Sequence, residues 1–461
     1  MRYQNFPPLH LIAALLAVTG SGPAGAQEDY EYEKAPIRYS ATEAHDATEV
    51  LMGRIERGEL RFEGDDRTVL KQLLDAFGVP VESQVLVYSK TSLQIDNIRP
   101  KNPRSIFFSD HIYVGWVPGG IMELTAYAKG LGPTFYRVYP DALRQATKLA
   151  GVKNLLASTA PPPKTAEMPP LEPEKPPRPF ERDEDCLRCH GGIFTDRVPG
   201  TFIRSVATGE DGTPRLHLGS RVVDHTTPLE ERWGGWYVSG ANSPLRHRGN
   251  VFTPAESRSA NEAETCADLS PFFDTKRYPV PTSDILALMV LEHQTSAANT
   301  LTKAHFQTRQ RLAQQQAFQR DLGETVTDEP NDTTRRVIEA SAREVIDALL
   351  YKNEVPLPEG GLSGSDAFRD AFKKGGRPAS DGRSLRDFQL LTRMFKYRCS
   401  FMIESPLFDD LPPVLKKEIF TRLRAILTGR DTDDRYAYLS GSERKAIHAI
   451  LSETVAGYAV R

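Results

Sequence analysis

The residues with the clearest chemical signature are two cysteines and a histidine: Cys186, Cys189 and His190. A Cys-x-x-Cys-His run is typical of c-type haem attachment, in which two thioethers fix the porphyrin and the histidine binds the iron. The spacing suits this chemistry because one tight turn can present both sulfurs to the same porphyrin edge. The sequence therefore predicts one covalently bound haem c, with His190 as the proximal iron ligand.

Two other uses of a Cys-x-x-Cys pair are less well supported. A zinc site needs further Cys or His ligands at comparable spacing, and none follows this motif. A thioredoxin-like dithiol belongs to a βαβ context, whereas proline-rich chain precedes this motif and Gly191 and Gly192 follow it. Haem attachment is the favoured interpretation.

The other face of the haem would need a second group, and two histidines are the candidates. His293 lies in an apolar run that predicts a buried helix starting near Asp284, so it is predicted to approach the iron as distal ligand or as acid and base. The alternative is a core histidine that is hydrogen-bonded to a carbonyl. His247 is the weaker candidate, between two arginines that could pair with haem propionates or simply lie in a solvated loop. The remaining possible sixth ligands are His217, His225, His305, Met122, Met168 and Met289.

Cys266 and Cys399 are the two cysteines outside the motif. In an oxidising compartment two remaining thiols commonly form a structural disulfide. A thiolate ligand or reactive thiol is the rival, but Cys266 has no local basic cluster. We expect a bond between Cys266 and Cys399.

The amino terminus has the pattern of a secretory signal. Residues 1–26 contain the apolar run Leu11 to Val18 and end in Ala24-Gly25-Ala26, which predicts a cleaved signal peptide and a periplasmic protein. The apolar run is shorter than the ~20 residues of a membrane-spanning helix, so no membrane anchor is expected. With a net charge of −3, the chain has no general basic surface for nucleic acid.

The 461 residues predict several regions of an α+β fold. Two helices, at Ala41 to Leu60 and Val69 to Phe77, precede strands up to Tyr139, which gives an N-terminal α+β domain over 27–158. A proline-rich linker or insertion follows over 159–183 and a β-rich haem-attachment region over 184–280. An all-helical region over 281–461 completes the chain, with later helices predicted at 333–351, 384–402, 412–427 and 442–458.

Several of these runs resemble a known group of proteins. The chain is similar to large exported bacterial proteins with a cytochrome c domain, and the resemblance lies in six runs: Ser83 to Gln94, Phe107 to Gly120, Cys186 to His190, Arg232 to Gly240, Leu288 to Gln294 and Arg393 to Ser400. It implies one covalent haem and residence in the periplasm, and the family has no reaction that could be carried over. The similarity to small class I cytochromes ends at His190.

Three functions follow from this reading. The first is electron transfer through a six-coordinate haem that docks with a redox partner protein. The second is a peroxidase-like oxidoreductase that reacts with a small oxidant or reductant at an open distal site. The third is a haem-based sensor or binding protein. The sequence leaves open whether the protein is an enzyme.

Overall fold

The structure is a computed structural model that describes residues 30–157, 178–240, 245–431 and 433–459. The predicted signal peptide and most of the predicted linker lie outside these residues. Within them, seven antiparallel strands form one sheet in the order β6-β5-β4-β3-β2-β1-β9. These strands are β1 (Val85–Val87), β2 (Arg104–Phe108), β3 (Ile112–Trp116), β4 (Met122–Ala128), β5 (Gly132–Val138), β6 (Phe180–Arg182) and β9 (Trp236–Tyr237). Two hairpin pairs lie outside the sheet, β7 (Ile203–Val206) with β8 (Ser220–Val223) and β10 (Arg246–His247) with β11 (Ala263–Glu264).

The two faces of this sheet differ in chemistry, as strand β4 shows. Its side chains alternate between buried Met122, Leu124 and Ala126 and half-buried Glu123 and Thr125, because successive residues of a strand point to opposite faces. The apolar face packs against the helices α1 (Ala47–Glu56), α2 (Asp66–Ala76) and α3 (Pro140–Ala157). The other face carries polar side chains such as Glu123 beside apolar ones such as Val85 and Phe108, which join the helical core.

The sheet draws its strands from three of the predicted regions. Strand β6 comes from the end of the predicted linker and β9 from the predicted haem-attachment region, and they form the two edges of the N-terminal sheet. Edge pairing of this kind satisfies backbone groups that a short central sheet would leave exposed. The segment with Cys186 and Cys189 is therefore built onto the sheet.

The C-terminal region is helical, which confirms the predicted α+β class. Its helices are α5 (Ile285–Asp321), α6 (Asp332–Leu349), α7 (Asp366–Lys374), α8 (Pro406–Asp409), α9 (Pro413–Leu427) and α10 (Gly441–Thr454); the short α4 (Leu187–His190) belongs to the cysteine motif. The helix predicted over 384–402 is wrong, since this stretch is a series of turns. Gln389 Oε1 accepts hydrogen bonds from the backbone N–H groups of Leu391, Thr392 and Arg393, and Leu390 has a left-handed φ of 59°, so side-chain contacts replace the helical pattern.

The N-terminal part of helix α5 is fully buried. Asp284 starts it by accepting bonds from the N–H groups of Leu286 and Ala287, and every residue from Ile285 to Thr295 is buried. Glu292 is among them and forms an ion pair with Arg232; their side chains are 1% and 2% exposed. Trp233 Nε1 donates to the other Glu292 oxygen at 3.1 Å. Burial raises the pKa of Glu292 to about 7 against the opposing effect of Arg232, so this contact carries a large desolvation cost.

Removing the Glu292 carboxylate should strongly destabilise the fold. We expect Glu292→Leu to lower the free energy of unfolding at pH 8 by about 3–5 kcal/mol, because the Arg232 guanidinium is left buried without a counter-charge. Adding Arg232→Met should recover part of this loss. The matched control is Glu344→Leu, since Glu344 pairs with Lys303 but is 55% exposed, and it should change stability by no more than about 0.5 kcal/mol. Chemical denaturation measures all three variants, and equal losses for the two single variants would contradict the role of the buried pair.

Candidate haem-attachment site

The Cys-x-x-Cys-His segment forms one compact turn. A 3₁₀ turn over Glu184–Cys186 continues into α4, and Asp183 caps it by accepting a bond from the Asp185 N–H. The Gly191 N–H closes the turn on the Leu187 carbonyl at 2.8 Å. This is the local structure that the motif predicts, with Cys186, Cys189 and His190 within a few residues of one another on one turn.

His190 is held in one orientation by the backbone of Gly200. Its Nδ1 lies 2.8 Å from the Gly200 carbonyl oxygen, and the Gly200 N–H donates to the His190 carbonyl at 2.8 Å. A proton on Nδ1 leaves the Nε2 lone pair free, which is the tautomer that binds a metal through Nε2. Burial lowers the pKa of His190, and the rings of Phe135 and Phe202 lie 5.1 and 5.3 Å from its own. The site therefore holds a neutral imidazole with one nitrogen available.

Helix α5 fixes the loop that carries this carbonyl. Asn299 Oδ1 accepts from the Thr201 N–H at 3.2 Å, and Asn299 Nδ2 donates to the Thr201 carbonyl at 2.9 Å. A Cβ on Gly200 would lie 2.1 Å from Asn299 Oδ1. Glycine is required here because the helix side chain occupies the space beside it.

A cavity of about 100 Å³ lies beside His190 and Cys186. The polar face of the sheet forms one wall, and Leu291 and Thr295 of α5 contribute to another. The polar side chains at this cavity were not singled out from the sequence; they are Arg104, Tyr113, Glu123, Thr125, Thr201 and Thr295. The alternation in β4 is the sequence signal that could have indicated Glu123 and Thr125.

An ion pair crosses three strands on this wall. Arg104 Nη2 of β2 lies 2.6 Å from Glu123 Oε2 of β4. The Arg104 side chain reaches over Gly115 of β3, which pairs with Ile106 of β2 and with Glu123 of β4. A Cβ on Gly115 would lie 2.3 Å from Arg104 Nη2. The glycine thus makes room for a guanidinium at the cavity.

Tyr113 adds a protonated hydroxyl to the same wall. It accepts a hydrogen bond from Gln294 Nε2 at 2.8 Å, and burial raises the pKa of Tyr113 to about 12. The group therefore stays protonated at neutral pH and can donate its own hydrogen.

The two cysteines of the motif differ in environment. Cys186 is half-buried at the cavity, with its Sγ 3.7 Å from Asp183 Oδ2, whereas Cys189 is exposed. Burial, followed by the charge of Asp183, raises the pKa of the Cys186 thiol to about 12. Reactive dithiols have lowered pKa values, so this environment does not favour the redox-dithiol interpretation.

The structure does not bring His293 to this cavity. Leu291 and Thr295 face the cavity. His293 lies two positions from each of them, so its side chain points about 200° around the helix axis from theirs. His293 instead packs in the helical core, with its Nε2 2.7 Å from Ser400 Oγ and its Nδ1 3.3 Å from His225 Nδ1. Tyr351 stacks on its ring at 4.1 Å. His293 is thus placed as a hydrogen-bonded core histidine.

His247 and the other candidate ligands also lie elsewhere. The buried His247 ring packs against Trp233, and its Nδ1 accepts from the Gly249 N–H at 3.0 Å. Met168 lies outside the described residues, and none of the other candidates lines the cavity: His217, His225, His305, Met122 and Met289.

The expected disulfide is not formed. All four cysteines are within the described residues, and each is a free thiol. Cys266 packs at the N-terminal sheet, with its Sγ 3.6 Å from the Val238 carbonyl, while Cys399 is fully buried in the helical core. The prediction was wrong because composition shows only that two thiols remain, whereas a bond also needs their Cα atoms within about 7 Å.

Comparison with known proteins adds no relative. No family model, curated protein or solved structure matches the chain. Across the residues that the structure describes, no helix is both long and apolar enough to cross a membrane, and no cluster of three His, Cys, Asp or Glu side chains is placed to hold a metal ion.

The environment of His190 can be measured without the cofactor. In a Cys186→Ala/Cys189→Ala variant, we expect His190 to titrate below its ordinary pKa of about 6.5 and to carry its proton on Nδ1. His45 is the internal control: its Nδ1 lies 3.0 Å from Glu49 Oε2, which raises the pKa of His45, whereas burial lowers the pKa of His190. Nitrogen-15 NMR over pH 5–8 follows both rings. A His190 that titrates at or above His45 would contradict the lowered pKa, and neutral-ring shifts that place the proton on Nε2 would contradict the assigned tautomer.

Proposed function

We propose that this chain is an exported, periplasmic c-type haem protein that exchanges electrons through one haem attached to Cys186 and Cys189. The observation that carries the proposal is the placement of His190: a neutral imidazole, fixed at Nδ1 by the Gly200 carbonyl, with Nε2 free beside Cys186. A metal-binding histidine commonly donates its second N–H to a carbonyl in this way.

The donor set fits a haem, while the cavity sets a limit on how it is held. The cavity of about 100 Å³ is smaller than the roughly 300–1,000 Å³ of pockets for drug-sized ligands. It can take only part of a porphyrin, and the exposed Cys189 would hold the part that reaches the surface. A partly exposed haem edge suits exchange of electrons with a partner protein.

Each residue then has a defined task. When bound, haem supplies a one-electron redox centre. His190 would orient and ligate it; Gly200 fixes the tautomer of His190, and Asn299 holds the Gly200 loop to α5. Phe135 and Phe202 exclude water from the imidazole.

A second function, reduction of a small oxidant such as peroxide, is favoured by the chemistry of the cavity wall. Among the described residues that line the cavity, His190 is the only His or Met side chain. The wall offers instead the Arg104 guanidinium, the Glu123 carboxylate and the Tyr113 hydroxyl. A cation stabilises negative charge on oxygen, and a carboxylate or phenol can transfer a proton, while an external donor would supply the two electrons.

The attachment itself is tested by mass spectrometry of the protein from a periplasm with a cytochrome c maturation system. We expect a mass increase of one haem, and loss of the covalent adduct in Cys186→Ala/Cys189→Ala. Cys266→Ala is the control and should keep the adduct, because Cys266 lies at the N-terminal sheet. Absence of haem from the wild-type protein would refute the proposal.

The spin state separates the two functions. An open distal side predicts a high-spin ferric spectrum that changes on addition of cyanide. We then expect Arg104→Gln to slow the reaction with peroxide by about 100-fold, while Arg221→Gln has no effect, since Arg221 pairs with Glu231 away from the cavity. A low-spin spectrum that cyanide does not alter would rule out the peroxide reaction and leave electron transfer.

A further inference from the structure

A second cavity, of about 640 Å³, is larger than the one beside His190 and opens at the turn that joins β2 and β3. It lies between the end of α2, this turn and helix α7. Four phenyl rings line it, those of Phe77, Phe108, Phe368 and Phe372. The volume is within the roughly 300–1,000 Å³ of small-molecule sites, and aromatic walls suit a flat apolar ring.

The polar end of this cavity is formed by Asp110, His111 and Arg386. Arg386 is only 4% exposed; its Nη2 donates to Asp110 Oδ2 and its Nη1 to the Phe372 carbonyl at 3.2 Å. Phe372 and Phe401 lie on the guanidinium, with their ring centres at 4.7 and 5.0 Å. Asp110 Oδ1 has no hydrogen-bond partner among the described residues. One carboxylate oxygen is therefore left to accept a bond from a ligand.

The charges at this end select the ligand. Asp110 and Arg386 already pair with each other, so for a carboxylate or for an ammonium group the attraction to one partner is offset by repulsion from the other. Either ion would lose its hydration here without a compensating counter-charge. A neutral hydroxyl on an aromatic ring avoids this cost and can donate to Asp110 Oδ1. Burial lowers the pKa of His111, so its imidazole remains neutral and adds no charge against such a ligand.

Gln294 connects this cavity with the one at His190. It lines the larger cavity and is 1% exposed; its Nε2 donates to the Ser109 carbonyl at 2.7 Å and to the Tyr113 hydroxyl at 2.8 Å. Tyr113 in turn lines the cavity beside His190. A ligand that moves the turn at Ser109 and Asp110 would thus alter the hydrogen bond to Tyr113.

We propose that the larger cavity binds small phenols, and that Gln294 transmits their binding to Tyr113 at the haem-attachment site. The binding site stands independently of the haem. The transmission rests on the function proposed above.

Calorimetric titration with phenol tests the binding site. Ala371 lines the cavity on α7, so Ala371→Leu should weaken phenol binding at least tenfold by filling the space. Ala367→Leu is the matched control, because Ala367 lies one helical turn earlier on α7, is exposed and is outside the cavity lining, and this variant should bind as the wild type does. Equal binding by both variants would overturn the site. Tighter binding of benzoate or benzylamine than of phenol would overturn the ligand class.

The optical spectrum of the haem-loaded protein tests the transmission. Phenol should shift the haem absorption band of the wild type and of Ala367→Leu, but not that of Ala371→Leu. Tyr113→Phe should keep calorimetric binding and lose the shift, because Tyr113 is not part of the lining of the larger cavity. Gln294→Met, measured at phenol concentrations that saturate its own binding, should lose the shift as well. A shift that survives in the folded variants, or is missing in the wild type despite binding, would refute the transmission. A protein that binds phenol yet acquires no haem would refute the haem function alone.

Discussion

The structure depends on satisfying the polar side chains of a helix that is buried on all sides. From Ile285 to Thr295, α5 has no face toward solvent, so each polar group in this stretch needs an internal partner. Glu292 forms an ion pair with Arg232 and a hydrogen bond with Trp233. His293 is hydrogen-bonded to His225 and Ser400. Gln294 is hydrogen-bonded to Ser109 and Tyr113. These three adjacent residues point in different directions and bind different parts of the chain. Their hydrogen bonds therefore fix how the sheet, the loop after the cysteine motif and the helical region meet.

The same constraint decides which residues of α5 can contribute to the candidate haem-attachment site. A helical rotation of about 100° per residue allows Leu291, Thr295 and Asn299 to lie on the side of the sheet and the Gly200 loop, while His293 must point into the helical core. A histidine in an apolar run indicates burial, and burial was correctly expected. The direction of the ring could not be deduced, because it depends on where the partners His225 and Ser400 are brought by distant parts of the chain.

What the sequence could predict was local. The cysteine motif forms the turn that its spacing implies, and the period of apolar residues predicted α1, α2, α6 and α9 because each has one face against a core. The turns over 384–402 were mistaken for a helix, since a side-chain bond from Gln389 gives no periodic signal. The edge strands β6 and β9 were assigned to separate regions, because strand pairing over such separations is decided by tertiary contacts. Cys266 and Cys399 form no disulfide for the same reason, because tertiary contacts decide where each thiol lies.

The polar side chains on the cavity wall are better explained by binding of a ligand than by packing of the protein core. Glycine in a strand interior weakens the strand and leaves its face without a side chain, and a half-buried ion pair gives little net stability against its desolvation. Strand β3 nevertheless has Gly115 where Arg104 crosses to Glu123, on the face next to His190. The apolar face of the same strands already supplies the core of the sheet. Local choices that cost stability without serving the core are expected where side chains act on a ligand, and here all three residues line the cavity beside Cys186 and His190.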